Sequence, residues 1–113
     1  MNCIFCKIVN EEIPADIIGE NDHAMAFNDL NPKAPVHFLI IPKVHIENVL
    51  GFTNDNIHIL GKMTELANEI AEDNGISKTG FRWVINTGND GGQTVFHLHL
   101  HLLGGRSLNW PPG

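Results

Sequence analysis

The chain has 113 residues, 42% of them apolar and 18% charged, and a net charge of −6 from thirteen acids against seven bases. That length suits a single domain, residues 1–113, with one hydrophobic core, and the composition excludes a disordered or fibrous chain. The bases (Lys7, Lys33, Lys43, Lys62, Lys78, Arg82 and Arg106) are scattered, which argues against a nucleic-acid polymer as partner, although backbone N–H groups can still cradle one phosphate.

Residues 3–9 read as one or two helical turns with Ile4, Ile8 and Phe5 facing inward. Lys7, Glu11, Glu12 and Pro14 interrupt any secretory hydrophobic run, and no segment approaches membrane-spanning length, so a cytoplasmic chain with no membrane partner is expected. Cys3-Ile4-Phe5-Cys6 is a C-x-x-C. Two cysteines this close are no disulfide scaffold for a domain of this size. They are two small buried apolar groups, a redox pair, or half of a zinc site whose other ligands must be histidines, since no second C-x-x-C exists.

Ile17-Ile18 and residues 24–28 form a hairpin around Glu20-Asn21-Asp22. Pro32 and Pro35 make 31–35 a loop, and 37–41 is a strong β run that Pro42 stops. The best helix covers about 55–73. Ile59, Leu60, Met63, Leu66, Ala67, Ile70 and Ala71 recur at three and four, Thr53 or Asn54 caps the start, and Asn74-Gly75 ends it. A strand over 81–86 follows, then a turn at 88–93. There Gly91-Gly92 can turn N–H groups toward an anion and Thr94 adds a hydroxyl, though such a Gly-Gly also makes an ordinary turn. Gly61-Lys62-Met63 lacks the upstream glycine and the hydroxyl of a phosphate-binding P-loop, so that class of nucleotide hydrolase is out. The order short helix, three strands, long helix, two strands gives an α+β fold: an antiparallel sheet with one long and one short helix.

The last strand carries the chemistry. In Phe96-His97-Leu98-His99-Leu100-His101-Leu102-Leu103 three histidines alternate with aliphatics, which puts the imidazoles on one face and the leucines on the other. Imidazole serves as nucleophile, proton donor, proton acceptor or metal ligand near neutral pH. Three in a row on one face mark an active site, a metal site, or both. His23 and His58 have no such context and read as surface residues.

With Gly91-Gly92-Gln93-Thr94-Val95 ahead of it, this segment resembles the histidine triad family, whose signature is His-φ-His-φ-His-φ-φ. Ile4-Phe5, Lys7-Ile8, Glu12-Ile13-Pro14, Ala26-Phe27-Asn28-Asp29-Leu30, His37-Phe38-Leu39-Ile40-Ile41-Pro42-Lys43, His45-Ile46 and the ending Trp110-Pro111-Pro112-Gly113 are similar to the Hint, nucleotide-binding branch.

The resemblance implies a purine nucleoside phosphoramidase or nucleotide hydrolase. His99 would attack the α-phosphorus to give a covalent nucleotidyl-histidine that water then hydrolyses. His97, His101 and His37 complete the implied catalytic set. Asn86, Gly92, Gln93 and Thr94 stand at implied phosphate-contacting positions, and Asp29 at that of the acid holding both ribose hydroxyls. Ile4, Phe5, Ile8, Phe27, Leu30 and Leu39 would form an apolar slot for the base of AMP or GMP with little discrimination between them, although any one of them equally suits plain core packing. In cysteine-bearing relatives the zinc partners of Cys3 and Cys6 match His45 and His97, which implies a structural zinc and no cofactor required for catalysis. The branch also implies a two-fold homodimer whose C-terminal tail, through Trp110, reaches the partner's site. A nucleotide-binding regulatory or scaffold protein with incidental hydrolysis is the alternative. The intact triad favours an enzyme, because binding alone needs no nucleophile.

Overall fold

The computed structural model describes residues 3–113. Chain order is α1 (Ile4–Val9), β1 (Ile17–Glu20), β2 (Ala24–Asn28), β3 (Val36–Pro42), α2 (His58–Asp73), α3 (Ile76–Thr79), β4 (Phe81–Val84), α4 (Gly88–Gly91) and β5 (Leu100–Gly104), with a short 3-10 turn at Val49–Gly51. The five strands form one antiparallel sheet in the order β1-β2-β3-β5-β4. The α+β architecture is the expected one. The helix count is not, because α3 and α4 add one turn each to the anticipated long and short helices.

Alternation along the strands divides the sheet into two dissimilar faces. Ala24, Ala26, Phe38, Ile40, Leu100 and Leu102 point toward α2 and meet Ile59, Met63, Leu66, Ala67, Ile70 and Ala71. That three-and-four spacing is the apolar stripe of an amphipathic helix, and burying each of its large side chains contributes about 1.5–3 kcal/mol. Met25, Phe27, Leu39 and Ile41 point the other way and are covered by Cys3, Phe5 and Ile8 from α1. A six-residue helix cannot cover a five-stranded sheet. The histidines lie on this same face, His97 and His99 under the Phe5 ring of α1 and His101 beyond it, only partly buried.

Several local readings change. The regular part of α2 starts at His58, and its N-cap, Ile57, offers no side-chain oxygen. Thr53 instead organises the preceding turn, its Oγ1 accepting from the Asp55 N–H at 3.2 Å and its carbonyl from the Ile57 N–H at 2.9 Å. Asn74 and a left-handed Gly75 end α2 as expected. β4 stops at Val84, two residues short.

The larger correction concerns the histidine segment, expected as one strand over 96–103. Its ladder begins only at Leu100, paired with Ile40. Carried on in register, the ladder would set His99 against Ile41 and Leu98 against Pro42. Pro42 has no N–H to give, and its carbonyl is taken by the ring Nε2–H of His97 at 2.9 Å. The Leu98 N–H donates to Ile46 instead, at 2.6 Å. Side-chain alternation survives the break: Leu98, Leu100 and Leu102 all join the α2 core.

Candidate active site

One row of the sheet runs Phe27–Leu39–His101–Val84 across β2, β3, β5 and β4. With α1 and the 13–16 loop it bounds a cavity of about 340 Å³, into which His99, His101, Asp29 and Thr94 face. That volume suits a small ligand, and the lining is mostly apolar with a few convergent polar groups.

Backbone carbonyls and N–H groups fix the tautomer of each histidine. The His99 Nδ1 lies 2.8 Å from the His97 carbonyl; a carbonyl only accepts, so Nδ1 carries the proton and Nε2 keeps its lone pair. The His97 Nε2 donates to Pro42, which leaves its Nδ1 as the free lone pair. On β3 the Lys33 N–H donates to His37 Nδ1 at 2.9 Å. The His37 Nε2–H therefore donates to His101 Nδ1 at 2.9 Å, and His101 is left with its Nε2–H unused. The Asp29 carboxylate stands 3.4 Å from His37 Nε2 and 3.9 Å from His101 Nδ1, and it also accepts from the Asn31 N–H at 2.7 Å.

Burial, then the neighbouring His99 and His37, pushes His101 down to about 4, against the opposing pull of Asp29. Burial also lowers His37 and His97. All three are therefore neutral at pH 7. The unfolded chain protonates His101 near pH 6.5, so between pH 6.5 and 4 it binds more protons than the folded chain, and stability falls as pH drops through that window. Thermal melts from pH 7 to 4 should show this slope, and His101→Gln should flatten it. Equal slopes in the two proteins would mean that His101 is not the titrating group.

A second cluster lies behind the first. Cys3 Sγ and Cys6 Sγ are 3.3 and 3.5 Å from His97 Nδ1, and Cys6 Sγ is 3.4 Å from His45 Nδ1. All four ligand atoms lie within 4.8 Å of one another. Ligands at ~2.3 Å (S) and ~2.1 Å (N) around a tetrahedral zinc would stand about 3.6 Å apart, close to these separations. The His97 ring also carries the arrangement usual for a metal ligand, its far N–H given to a backbone carbonyl and its near nitrogen bare. Cys3 doubles as the N-cap of α1, its sulfur accepting from the Cys6 N–H at 3.3 Å.

A family model for the HIT domain matches residues 10–108. The chain belongs to the HIT family. It is 47% identical over 105 residues to the purine nucleoside phosphoramidase of Escherichia coli (strain K12), spanning 93% of this chain and 88% of that one. It is 45% identical over 112 residues to a 14 kDa zinc-binding protein of Brassica juncea, spanning 97% and 98%. A solved HIT family hydrolase from Legionella pneumophila Philadelphia 1 superposes with a TM-score of 0.96 at 46% identity, over 99% of this chain and all of the other.

The HIT chain gathers most of the expected substrate residues and separates four. Of the implied catalytic histidines, His99 and His101 line the cavity, His37 stands behind His101 at 2.9 Å, and His97 turns to the cysteine cluster. Ile4, Phe5, Ile8, Phe27, Asp29, Leu30, Leu39, Thr94, His99 and His101 line the one cavity. Ile4 is half exposed and Leu30 fully so; they form its rim, not the inward-facing core expected of Ile4. Asn86, Gly92, Gln93 and Trp110 do not line it. Gln93 is buried and its amide is spent internally: Oε1 accepts from the Gly88 N–H at 3.0 Å, and Nε2 donates to the Glu47 and Val95 carbonyls at 2.8 and 3.1 Å. The Gly92 and Gln93 N–H groups close α4 by bonding Asn89 and Gly88, so they are not free for an anion. Thr94 and Val95, the next residues toward the triad, make no backbone hydrogen bond through N–H among the described residues, and both line the cavity.

Sequence reasoning missed Ile13, Pro14, Ala15, Asp16, Asn28 and Val95 as lining residues. No sequence signal marked them, because the contact that brings two of them in is set by the fold. Asn28 Nδ2 donates to the Asp16 carboxylate, which ties the 13–16 loop to the residue before Asp29.

Proposed function

We propose that the chain is a purine nucleoside phosphoramidase or nucleotide hydrolase acting through a nucleotidyl-His99 intermediate. The observation that carries this is the His99 tautomer: a buried imidazole with its Nδ1–H held by a carbonyl and its Nε2 lone pair at a cavity. A protein that only bound nucleotides would have no use for it.

In this reading the base lies in the apolar slot between Phe5, Ile8, Phe27 and Leu39, and Asp29 holds the ribose hydroxyls. The α-phosphoryl group sits between His99 and His101, whose ring centroids are 5.0 Å apart, with the Thr94 hydroxyl and N–H beside it. His99 Nε2 attacks phosphorus as the P–N bond breaks, and the departing amine takes a proton from His101 Nε2. The negative phosphoryl group, together with Asp29, favours the charged form of the His37–His101 pair once substrate binds, reversing the effect of burial. Water then attacks phosphorus and gives a proton back to His101. The P–Nε2 bond breaks and neutral His99 returns. Because Nδ1 keeps its proton, the intermediate is an imidazolium, which departs readily. Adenosine 5′-phosphoramidate should be converted to AMP and ammonia; protein that binds AMP without turning this substrate over would refute the assignment.

The ribose contact makes a separate claim. AMP should bind roughly tenfold tighter than 2′-deoxy-AMP by calorimetry, in line with a hydrogen bond to a charged group. Equal affinities would remove Asp29 from that role.

Cys3, Cys6, His45 and His97 would hold a structural Zn²⁺, which would cross-link α1 to the sheet; the fit of the donor set and the name of the Brassica relative support this. It does not compete with catalysis, since the nucleophile is the next histidine on that face.

A two-fold dimer fits an unpaired β4 edge on which Phe81 and Trp83 are partly exposed. Arg82 on β4 also holds the tail, donating to the Asn109 and Leu108 carbonyls at 3.0 and 3.5 Å. Trp110, 81% exposed in one chain, would then border the partner's leaving-group side. Deleting 109–113 should alter relative rates for large and small leaving groups more than AMP affinity. Unchanged relative rates, or a monomeric mass by light scattering, would leave the tail without that role.

A further inference from the structure

We propose that the Cys3/Cys6/His45/His97 centre is coupled to the nucleotide cavity through Phe5, so that a bound metal ion and a bound purine nucleotide strengthen each other. The proposal rests on the nucleotide reading above for its ligand.

The geometry places both sites on one small element. Cys3 caps α1 and Cys6 lies within it, and between and after the two thiols come Ile4, Phe5 and Ile8, which line the cavity. Phe5 is 6% exposed and touches every party. Its ring meets His97, a member of the metal cluster, edge-on at 5.7 Å, the nucleophile His99 at 5.3 Å, and the cavity wall at Phe27 at 5.5 Å. Displacing α1 therefore shifts the base slot and removes the ring that packs against His99.

A helix of six residues does not hold itself together. Its position comes from the packing of Phe5 and Ile8 and from whatever draws Cys3 and Cys6 onto His45 and His97. A cation there would fix α1 over the sheet, and a purine seated on Phe5, Ile8 and Phe27 would fix the same helix from the other side. Two ligands that order one element share the cost of ordering it, and the resulting coupling is equal in both directions.

Two members of the metal cluster also reach the surface. Cys3, His45 and Glu47 line a surface hollow of about 480 Å³ that is separate from the nucleotide cavity but shares Ile4, Thr94 and Val95 with it.

The test measures binding rather than turnover. AMP is titrated by calorimetry into zinc-loaded and EDTA-stripped protein, with far-UV circular dichroism confirming that the stripped protein is folded. Zinc affinity is then measured by chelator competition with and without saturating AMP. Zinc should tighten AMP about tenfold, and AMP should tighten zinc by the same factor. Phe5→Leu keeps all four ligands and should bring both ratios close to one. Equal AMP affinity with and without zinc overturns the coupling and leaves the hydrolase assignment standing; failure to bind AMP in either form overturns both. If stripping unfolds the protein, zinc affinity with and without AMP decides alone, and equal values overturn the proposal.

Discussion

His99→Ala should lower phosphoramidate turnover by at least about 10³-fold, as loss of a nucleophile does, while AMP affinity changes only a few-fold. The reasons are local. The Nδ1–H of His99 is satisfied by its own chain at the His97 carbonyl, so truncation leaves no charged partner stranded. Phe5, Phe27 and Leu39 come from other elements and keep the apolar wall of the cavity, the proposed base slot. Single-turnover assays with calorimetry on the same preparation separate the two effects. Turnover near the wild-type rate would end the covalent mechanism, whereas loss of both turnover and binding would point to a collapsed site.

Cys3→Ser/Cys6→Ser should remove about one zinc per chain and lower the melting temperature by about 10 °C, the scale expected when a metal tie of a few kcal/mol is lost from a domain near this size. Burial and the adjoining Cys3 thiol push the Cys6 thiol above its ordinary range, so without a cation Cys6 sits neutral and contributes only packing and weak sulfur contacts. Elemental analysis of protein prepared without added metal or chelator, followed by thermal melts, distinguishes the cases. Unchanged metal content and melting temperature would make the cysteines packing residues.

Much of this was legible in the sequence because it depends on periodicity. Alternation put Leu98, Leu100 and Leu102 on the α2 side and the imidazoles on the other, and the three-and-four spacing of Ile59 through Ala71 found the long helix. The candidate metal cluster was legible only in part: the C-x-x-C offered two thiols, and the choice of His45 and His97 among seven histidines came from the resemblance to cysteine-bearing relatives. Hydrogen-bond destination was not legible. Gln93 was expected to meet phosphate and instead braces the 88–95 turn with every atom of its amide, because a buried amide must satisfy itself wherever backbone groups are nearest. The tautomers were equally hidden, since each is set by one backbone group, at His97, Pro42 or Lys33, whose orientation only the fold decides. The early end of the β5 ladder follows from Pro42, yet the sequence alone does not say which residue will face that proline.

The pairing of β3 with β5 has a consequence for folding. Leu39 opposite His101 and Phe38 opposite Leu102 are neighbours in register but belong to opposite faces. A slip of one residue would turn the imidazoles into the greasy interior under α2 and the leucines into the cavity. A slipped chain would lose the proposed nucleophile, a candidate metal ligand and its core together. Specific activity per folded molecule therefore depends on strand alignment as well as on chemistry.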